Sequence, residues 1–516
     1  MNKTLLRVKN LSIFTDKQKI VKNIDFSIAK AQVFALVGES GSGKSLTALS
    51  IVNLLAKNLK SSGEVLYQGE NLLHHQKIQN FRGSEIAFVF QDPTNCLNPI
   101  MNIGEQVEEV LSMHGNLSRK ERKKRVLELF RQVDLDDTEQ MYQRYPHQIS
   151  GGQKQRVMIA SALAGGAKLL IADEPTTALD VTTQKQVLEL LVKLKKNQNL
   201  SVLLITHDLA VVKLISDRVA VMHQGEIIEN RPSVEFFQSP EQDYSKALLV
   251  SLPKGKRAQD FGQTLISAQG MKVYFPIKTG LFQRISDYVR AVDEISFDLK
   301  QGQNLAIVGE SGSGKTTLAK AIMRQLSMHE GQLYFQGRVI GDYAQKDYAQ
   351  LVQIVFQNVT SSFNPRLRIV DTLLESIEAL NPRQANLETI HDLLKQVELE
   401  PELANRYPHE LSGGQLQRLS IARALSVNPK VIICDEPTSA LDATIKVQIL
   451  DLLLKIQKQK GLSFIIITHD ISLVDYFADE VIVMKDGRVV ERGASSVVLN
   501  EPKNDYTRAL LSSVLV

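Results

Sequence analysis

Two stretches of the chain, Gly38-Glu39-Ser40-Gly41-Ser42-Gly43-Lys44-Ser45 and Gly309-Glu310-Ser311-Gly312-Ser313-Gly314-Lys315-Thr316 followed by Thr317, share the spacing G-x-x-x-x-G-K-[ST]. These residue types at this spacing suit one chemistry. The glycines let the backbone curl until several N–H groups converge on one phosphate, and the helix opened by the lysine adds partial positive charge at its N-terminus. Lys44 and Lys315 bring a mobile charge for the β and γ phosphates, and the hydroxyls of Ser45 and Thr316 suit a Mg²⁺ ion. A glycine-rich turn with an exposed lysine is the plain alternative. Its recurrence at equivalent positions of a repeat removes that alternative.

Downstream of each loop lies a pair of carboxylates, Asp173-Glu174 in LLIADEPTTALD and Asp435-Glu436 in VIICDEPTSALD. A carboxylate at a strand end beside a phosphate loop can hold Mg²⁺, and its neighbour can orient or deprotonate an attacking water. Asp173 and Asp435 are therefore assigned to the metal, Glu174 and Glu436 to the water. Alone, an Asp-Glu pair equally suits a solvated strand end or a helix cap. His207 and His469 end apolar runs in the sequence ITHD, where a neutral imidazole can bond the γ-phosphate or the water; a satisfied structural histidine is the other reading. Gln91 and Gln357 end FVFQ and IVFQ, and their amide oxygens suit a metal shell or a nucleotide sensor.

The elements that must position these groups are legible as a duplication. RYPH, SGGQ, DEPT, ALD and ITHD follow each glycine loop in the same order. The offset between repeats is 262 for Ser150 and Ser412, for Asp173 and Asp435 and for His207 and His469, but 271 for Gly38 and Gly309. Nine extra residues thus lie between loop and RYPH in the first half, a length change that surface connections tolerate. Unbroken apolar runs at Val33–Val37, Leu169–Ala172, Val202–Ile205, Leu305–Val308, Val431–Cys434 and Phe464–Ile467 predict parallel strands buried on both faces. Segments with helical spacing, Leu46–Leu55 and Val126–Val133, alternate with them, so each half is expected to be α/β with its motifs at the carboxyl ends of strands. Residues 1–253 and 265–516 are read as the domains and residues 254–264 as a polar linker.

A chain of 516 residues suits two such cores. Its 61 basic and 57 acidic residues give net +4, too mild to imply nucleic-acid binding. The basic run Ser118–Arg125 leads a helix whose Val126, Leu127, Phe130 and Val133 are expected to face inward, which favours a solvated helix start over a nucleic-acid patch. The two cysteines, Cys96 and Cys434, exclude a four-cysteine metal site and fit a reducing, cytoplasmic setting. No apolar run approaches the about 18 residues of a membrane helix.

ISGGQKQR at Ile149–Arg156 and LSGGQLQR at Leu411–Arg418 resemble the signature of ATP-binding cassette proteins, and with the other motifs the resemblance covers nearly the whole chain twice. It implies two tandem phosphate-loop ATPase domains, each a RecA-like α/β core with an antiparallel β subdomain and a helical signature subdomain, using ATP and Mg²⁺. It further implies head-to-tail pairing of the halves. Ser150, Gly151, Gly152 and Gln153 would then serve ATP held by Lys315, and Ser412, Gly413, Gly414 and Gln415 the ATP held by Lys44. Asp180 and Asp442 would lie across the interface. An adenine-stacking aromatic is expected ahead of each loop, with Phe14 and Phe275 as the candidates; a core role is the alternative for either.

QDPTNCLNP at Gln91–Pro99, QNVTSSFNPR at Gln357–Arg366 and the terminal echoes SPEQDYSKALL at Ser239–Leu249 and EPKNDYTRALL at Glu501–Leu511 resemble the fused ATPases of bacterial peptide importers. The echoes depart from that subgroup at Gln242-Asp243 and Asn504-Asp505, where His-Pro is usual. Phe275–Phe297 is similar to the fused ATPase of the importer for microcin C and other peptides. This resemblance implies two integral membrane permease subunits and an external substrate-binding protein as partners, no nucleic acid, and a peripheral place on the cytoplasmic face of the membrane. A fused sugar-importer ATPase and a soluble tandem-cassette translation factor are the alternatives.

Overall fold

A computed structural model describes residues 4–73, 75–115, 117–176, 179, 181–249, 261–279, 284–380, 382–438, 441 and 443–513. The chain forms two compact units divided between Val250 and Ser251. Residues 254–260 of the expected linker lie outside the described residues, and Thr264, expected to end it, opens the strand Thr264–Thr279.

In the first unit a six-stranded sheet runs in the order Glu226–Pro232, Arg218–His223, Val33–Val37, Ser201–Ile205, Leu169–Asp173, Ile86–Val89. All neighbours are parallel except the first pair. The second unit repeats this order with Arg488–Ala494, Glu480–Lys485, Asn304–Val308, Ser463–Thr468, Val431–Asp435 and Val352–Val355. The six expected strands are therefore present, most extended by a residue. The strands lack polar alternation because both faces are covered. Leu170 and Ala172 point into one core with helices, while Leu169 and Ile171 point into another shared with a second sheet. Burying each such leucine stabilises the fold by about 1.5–3 kcal/mol.

That second sheet is antiparallel and four-stranded in each unit: Lys19–Ala29, Thr4–Phe14, Lys60–Tyr67 and Glu70–Asn71, then Arg284–Lys300, Thr264–Thr279, Glu330–Phe335 and Arg338–Val339. Beyond the sheets, helices Ile103–His114, Arg119–Gln132 and Gly151–Ala164 pack Val107, Val126, Phe130 and Val157 into one core. The basic run behaves as expected: Ser118 forms a capping box with Glu121, and Val126, Leu127, Phe130 and Val133 are buried. One boundary differs. The helix expected over Leu46–Leu55 spans Lys44–Ile51, because Asn53 takes φ 51° and reverses the chain just beyond the helix end. Among the described residues no helix is long and apolar enough to cross a membrane.

Candidate nucleotide site

Because the central strands are parallel, their carboxyl ends lie along one edge of each sheet, and the motif residues follow them directly. Val33–Val37 delivers Gly38, and Asn304–Val308 delivers Gly309. The helices Lys44–Ile51 and Lys315–Ile322 are entered through Gly43 (φ 106°) and Gly314 (φ 101°), conformations that only glycine takes cheaply. Space is equally restrictive: a Cβ on Gly38 would lie 2.0 Å from the Met222 carbonyl oxygen, and one on Gly314 1.9 Å from that of Ala291. The lysines fold back over their own loops. Lys44 Nζ donates to the carbonyls of Gly38 and Glu39, both at 2.7 Å, and Lys315 Nζ to those of Gly309 at 2.8 Å and Glu310 at 2.7 Å. Ser42 and Ser313 are buried within the loops, while Ser40, Gly41, Ser311 and Gly312 are more open; Gly41 and Gly312 also have positive φ.

The carboxylate, glutamine and histidine of each half meet. Gln91 Nε2 donates to Glu174 Oε2 at 2.9 Å, and His207 Nδ1 lies 3.0 Å from Glu174 Oε1. In the second unit Gln357 Nε2 donates to Glu436 Oε2 at 2.6 Å and His469 Nδ1 lies 3.0 Å from Glu436 Oε1. Both glutamates adopt a left-handed backbone, φ 47° for Glu174 and 49° for Glu436, with their N–H groups bonded to the carbonyls of Ile205 and Ile467 at 2.8 Å. Such a backbone costs on the order of 1–3 kcal/mol, and here it turns the side chain from the strand end toward its two partners. The next residue of each ITHD motif holds the histidine segment: Asp208 caps helix Leu209–Ile215, and the Asp208 and Asp470 amides bond Thr206 and Thr468.

Burial, the largest influence, pushes the Asp173 and Asp435 carboxyls up, opposed by the Ser45 and Thr316 hydroxyls. Burial also works against the charged form of Glu436, but the His469 hydrogen bond leads a group of partners that holds it below the usual carboxylate range. The two neighbouring carboxyls of the second half are thus separated in proton affinity. Asp173 Oδ1 is buried with no hydrogen-bond partner, and Thr316 Oγ1 reaches Asp435 Oδ1 at 3.4 Å. A buried, unsatisfied carboxylate oxygen beside a hydroxyl is a hard-oxygen donor set that fits Mg²⁺, which takes few protein ligands and completes its shell with phosphate and water.

The signature motifs prove to be helix starts. Ser150 Oγ accepts the Gln153 N–H at 3.3 Å while Gln153 Oε1 accepts that of Ser150 at 3.0 Å, and Ser412 with Gln415 repeats this at 3.3 and 2.9 Å. The glutamines expected at the nucleotide therefore close capping boxes. Gly151 and Gly413 begin the helices; a Cβ on Gly152 would come within 2.2 Å of Thr183 Cγ2, and on Gly414 within 3.0 Å of Ile445 Cγ2. Phe14 ends its strand, paired with Lys19 and Lys60, and is half-buried. Phe275 is 40 % exposed on the longer hairpin of the second unit, so neither aromatic belongs to a core. Asp180 and Asp442 lie outside the described residues. Of the cysteines, Cys434 is fully buried in a central strand and Cys96 is exposed at the end of helix Pro93–Cys96. Sequence reasoning named each glutamine, glutamate and histidine separately; that they bond one another is a tertiary fact with no local signal.

Known proteins resemble the chain along most of its length. The family described as ABC transporter matches residues 21–177 and 292–439. The chain is 42% identical to the peptidoglycan transport ATP-binding protein YejF of Agrobacterium fabrum, over 99% of this chain and 96% of that protein. It is 39% identical to the glutathione import ATP-binding protein GsiA of Escherichia coli, over 99% and 90% respectively. Among solved structures, the bacterial ABC transporter cassette MJ0796 in its dimeric form aligns at 32% identity with a TM-score of 0.40, covering 44% of this chain and 99% of the cassette. The chain belongs to the ABC transporter family. It is a tandem ATPase of that family that hydrolyses ATP, with two cassettes in one polypeptide.

Proposed function

We propose that this chain energises a bacterial importer of peptide-like substrates from the cytoplasmic face of the membrane, acting on two integral permease subunits supplied by an external substrate-binding protein. The supporting observation is similarity along 99% of the chain to transport ATP-binding proteins whose names specify peptidoglycan and glutathione. In each cassette the glycine loop cradles the β and γ phosphates and Lys44 or Lys315, held over the loop by its carbonyl partners, brings its charge to them. Ser45 with Asp173, and Thr316 with Asp435, would hold Mg²⁺, with Gln91 and Gln357 completing the shell; the ion would neutralise charge developing on the transferred phosphoryl group. Glu174 and Glu436 take the proton of the attacking water, held in aim by Gln91 and His207 or by Gln357 and His469. Each signature serves the nucleotide of the other half, so that ATP favours one arrangement of the cassettes over another, which is the condition for a ligand to drive a change. Phe14 and Phe275 stack on adenine in this reading.

The test is co-purification of the tagged chain from membranes in mild detergent. Two permease-type membrane proteins recovered with it support import. Recovery with ribosomes and no membrane protein overturns the transport reading and leaves the ATPase intact.

A further inference from the structure

Each half ends in a Y-[ST]-x-x-L-L segment that the hydrolytic machinery does not use. In both units it forms a helix, Asp243–Leu249 and Asp505–Ser513, and its leucines pack on the outer face of the strand that delivers the glycine loop. Leu248 and Leu249 lie with Ala35 and Val37, and Leu510 and Leu511 with Ala306 and Val308. The approach to the helix is fastened by a glutamate on the antiparallel edge strand. Glu229 accepts the N–H groups of Glu241 at 3.0 Å and Gln242 at 3.2 Å, and Glu491 those of Lys503 at 2.8 Å and Asn504 at 3.1 Å. The donors are backbone N–H groups, so these bonds do not depend on which side chains Gln242 and Asn504 carry.

So docked, the tyrosine of the motif reaches the phosphate loop. The Glu39 N–H donates to the Tyr244 hydroxyl oxygen at 3.3 Å, and the Glu310 N–H to that of Tyr506 at 3.0 Å. The same peptide unit is held at its other end by the loop lysine, since the Gly38 carbonyl accepts from Lys44 and the Gly309 carbonyl from Lys315. Tyrosine and lysine therefore fix one peptide plane from opposite sides, and bonding at the N–H polarises the carbonyl that the lysine uses. The ring itself is supported independently of the hydroxyl: Tyr244 lies 4.0 Å from the His223 ring, and Lys485 Nζ lies 4.8 Å from the Tyr506 ring.

We infer that Tyr244 and Tyr506 are positioning residues for ATP binding, which set the first turn of each phosphate loop and the carbonyl partner of its lysine. The inference rests on the reading of these loops as the ATP site. It makes the terminal motif part of each nucleotide site rather than a mere end of the domain, because a preorganised loop binds phosphate without first ordering itself.

The experiment is titration of the purified full chain with the fluorescent analogue MANT-ATP, beside steady-state ATPase assays, for wild type, Y244F, Y506F and the double variant. Phenylalanine keeps the ring and its packing and removes only the hydroxyl. The expected result is a dissociation constant raised about fivefold at each altered site, the fold-change of one net hydrogen bond, with KM for ATP rising in step and kcat at saturating ATP holding. An unchanged dissociation constant, with or without a lower melting temperature, overturns the inference and leaves a packing role. Failure of the wild-type chain to bind MANT-ATP would instead overturn the ATP-site reading beneath it.

Discussion

The two halves hold the same site on different scaffolds. Histidine and glutamate stand 3.0 Å apart in both, and the glutamine bond differs by only 0.3 Å, at 2.9 and 2.6 Å. Around these sites the solutions diverge. At the start of the loop strand the first half has Val33, whose N–H donates to Asp217 at 2.7 Å, and Lys195 pairs with that aspartate at 2.6 Å. The second half has Asn304 and Gln457 at the equivalent places. The Asn304 N–H donates to Asp479 at 2.8 Å, and the two side-chain amides bond each other within the core at 3.2 and 2.7 Å. The strands of the outer hairpin also differ, 11 and 11 residues in the first unit against 16 and 17 in the second. Duplicated chains can exchange an ion pair for a buried amide pair far from the chemistry, whereas the glutamate, clamped on two sides, leaves no such freedom.

The largest effect that tests this equivalence comes from E174Q and E436Q. Each removes the proposed general base and is expected to lower turnover at its own site by about 10²–10⁴-fold, while MANT-ATP binding persists. Equal rates for the two single variants and near-complete loss in the double variant would sharpen the symmetry; a wild-type rate in either single variant would break it. Next in size is N304V, which takes the Asn304 donor from Gln457 Oε1 while Gln457 Nε2 keeps the Gly302 carbonyl at 2.7 Å, and is expected to destabilise the second unit by about 1–3 kcal/mol in urea unfolding. N304V/Q457K, which installs the first-half pattern, should recover part of that loss. A single N304V variant as stable as wild type would show that the amide pair contributes nothing.

Smaller and equal in both halves should be S150A and S412A, each costing about 1 kcal/mol of helix stability through loss of the cap. Faster hydrogen exchange at the Gln153 and Gln415 amides would report it. Smallest is a pH effect. Burial opposes the charge on Glu229 and Glu491, yet the donors around them outweigh it and hold both carboxyls below the usual glutamate range. A lowered folded-state value means that their stabilisation is complete above the unfolded glutamate range and is lost as pH falls through the folded value. Melting temperature should therefore fall less on acidification in E229Q/E491Q than in wild type, and parallel curves would contradict the fastening role of these glutamates.

Much of this was readable because burial on both faces leaves a local mark: Val33–Val37 and Val431–Asp435 carry no polar residue before the motif begins. The loop glycines were readable for a similar reason: all take positive φ, and at Gly38, Gly43, Gly309 and Gly314 a Cβ would also collide with its neighbours. What escaped was long-range. The Gln91–Glu174–His207 cluster joins residues from three strand ends, and Tyr244 meets Glu39 across 205 positions of sequence. The helix after the first loop was overextended because Leu54 and Leu55 continue its apolar spacing, while the reversal at Asn53 depends on a backbone conformation that periodicity does not register.

The two thiols described above give the molecule a ready handle. Cys434 is sealed within its strand, so a maleimide fluorophore should attach to the native chain at Cys96 alone, five residues beyond Gln91. Partial burial and the charge of Asp92 raise the Cys96 thiol above its ordinary value, so labelling should quicken as the buffer is made more alkaline. The dye would then stand beside the glutamine of one cassette only, allowing the two otherwise matched halves to be told apart optically without altering a residue.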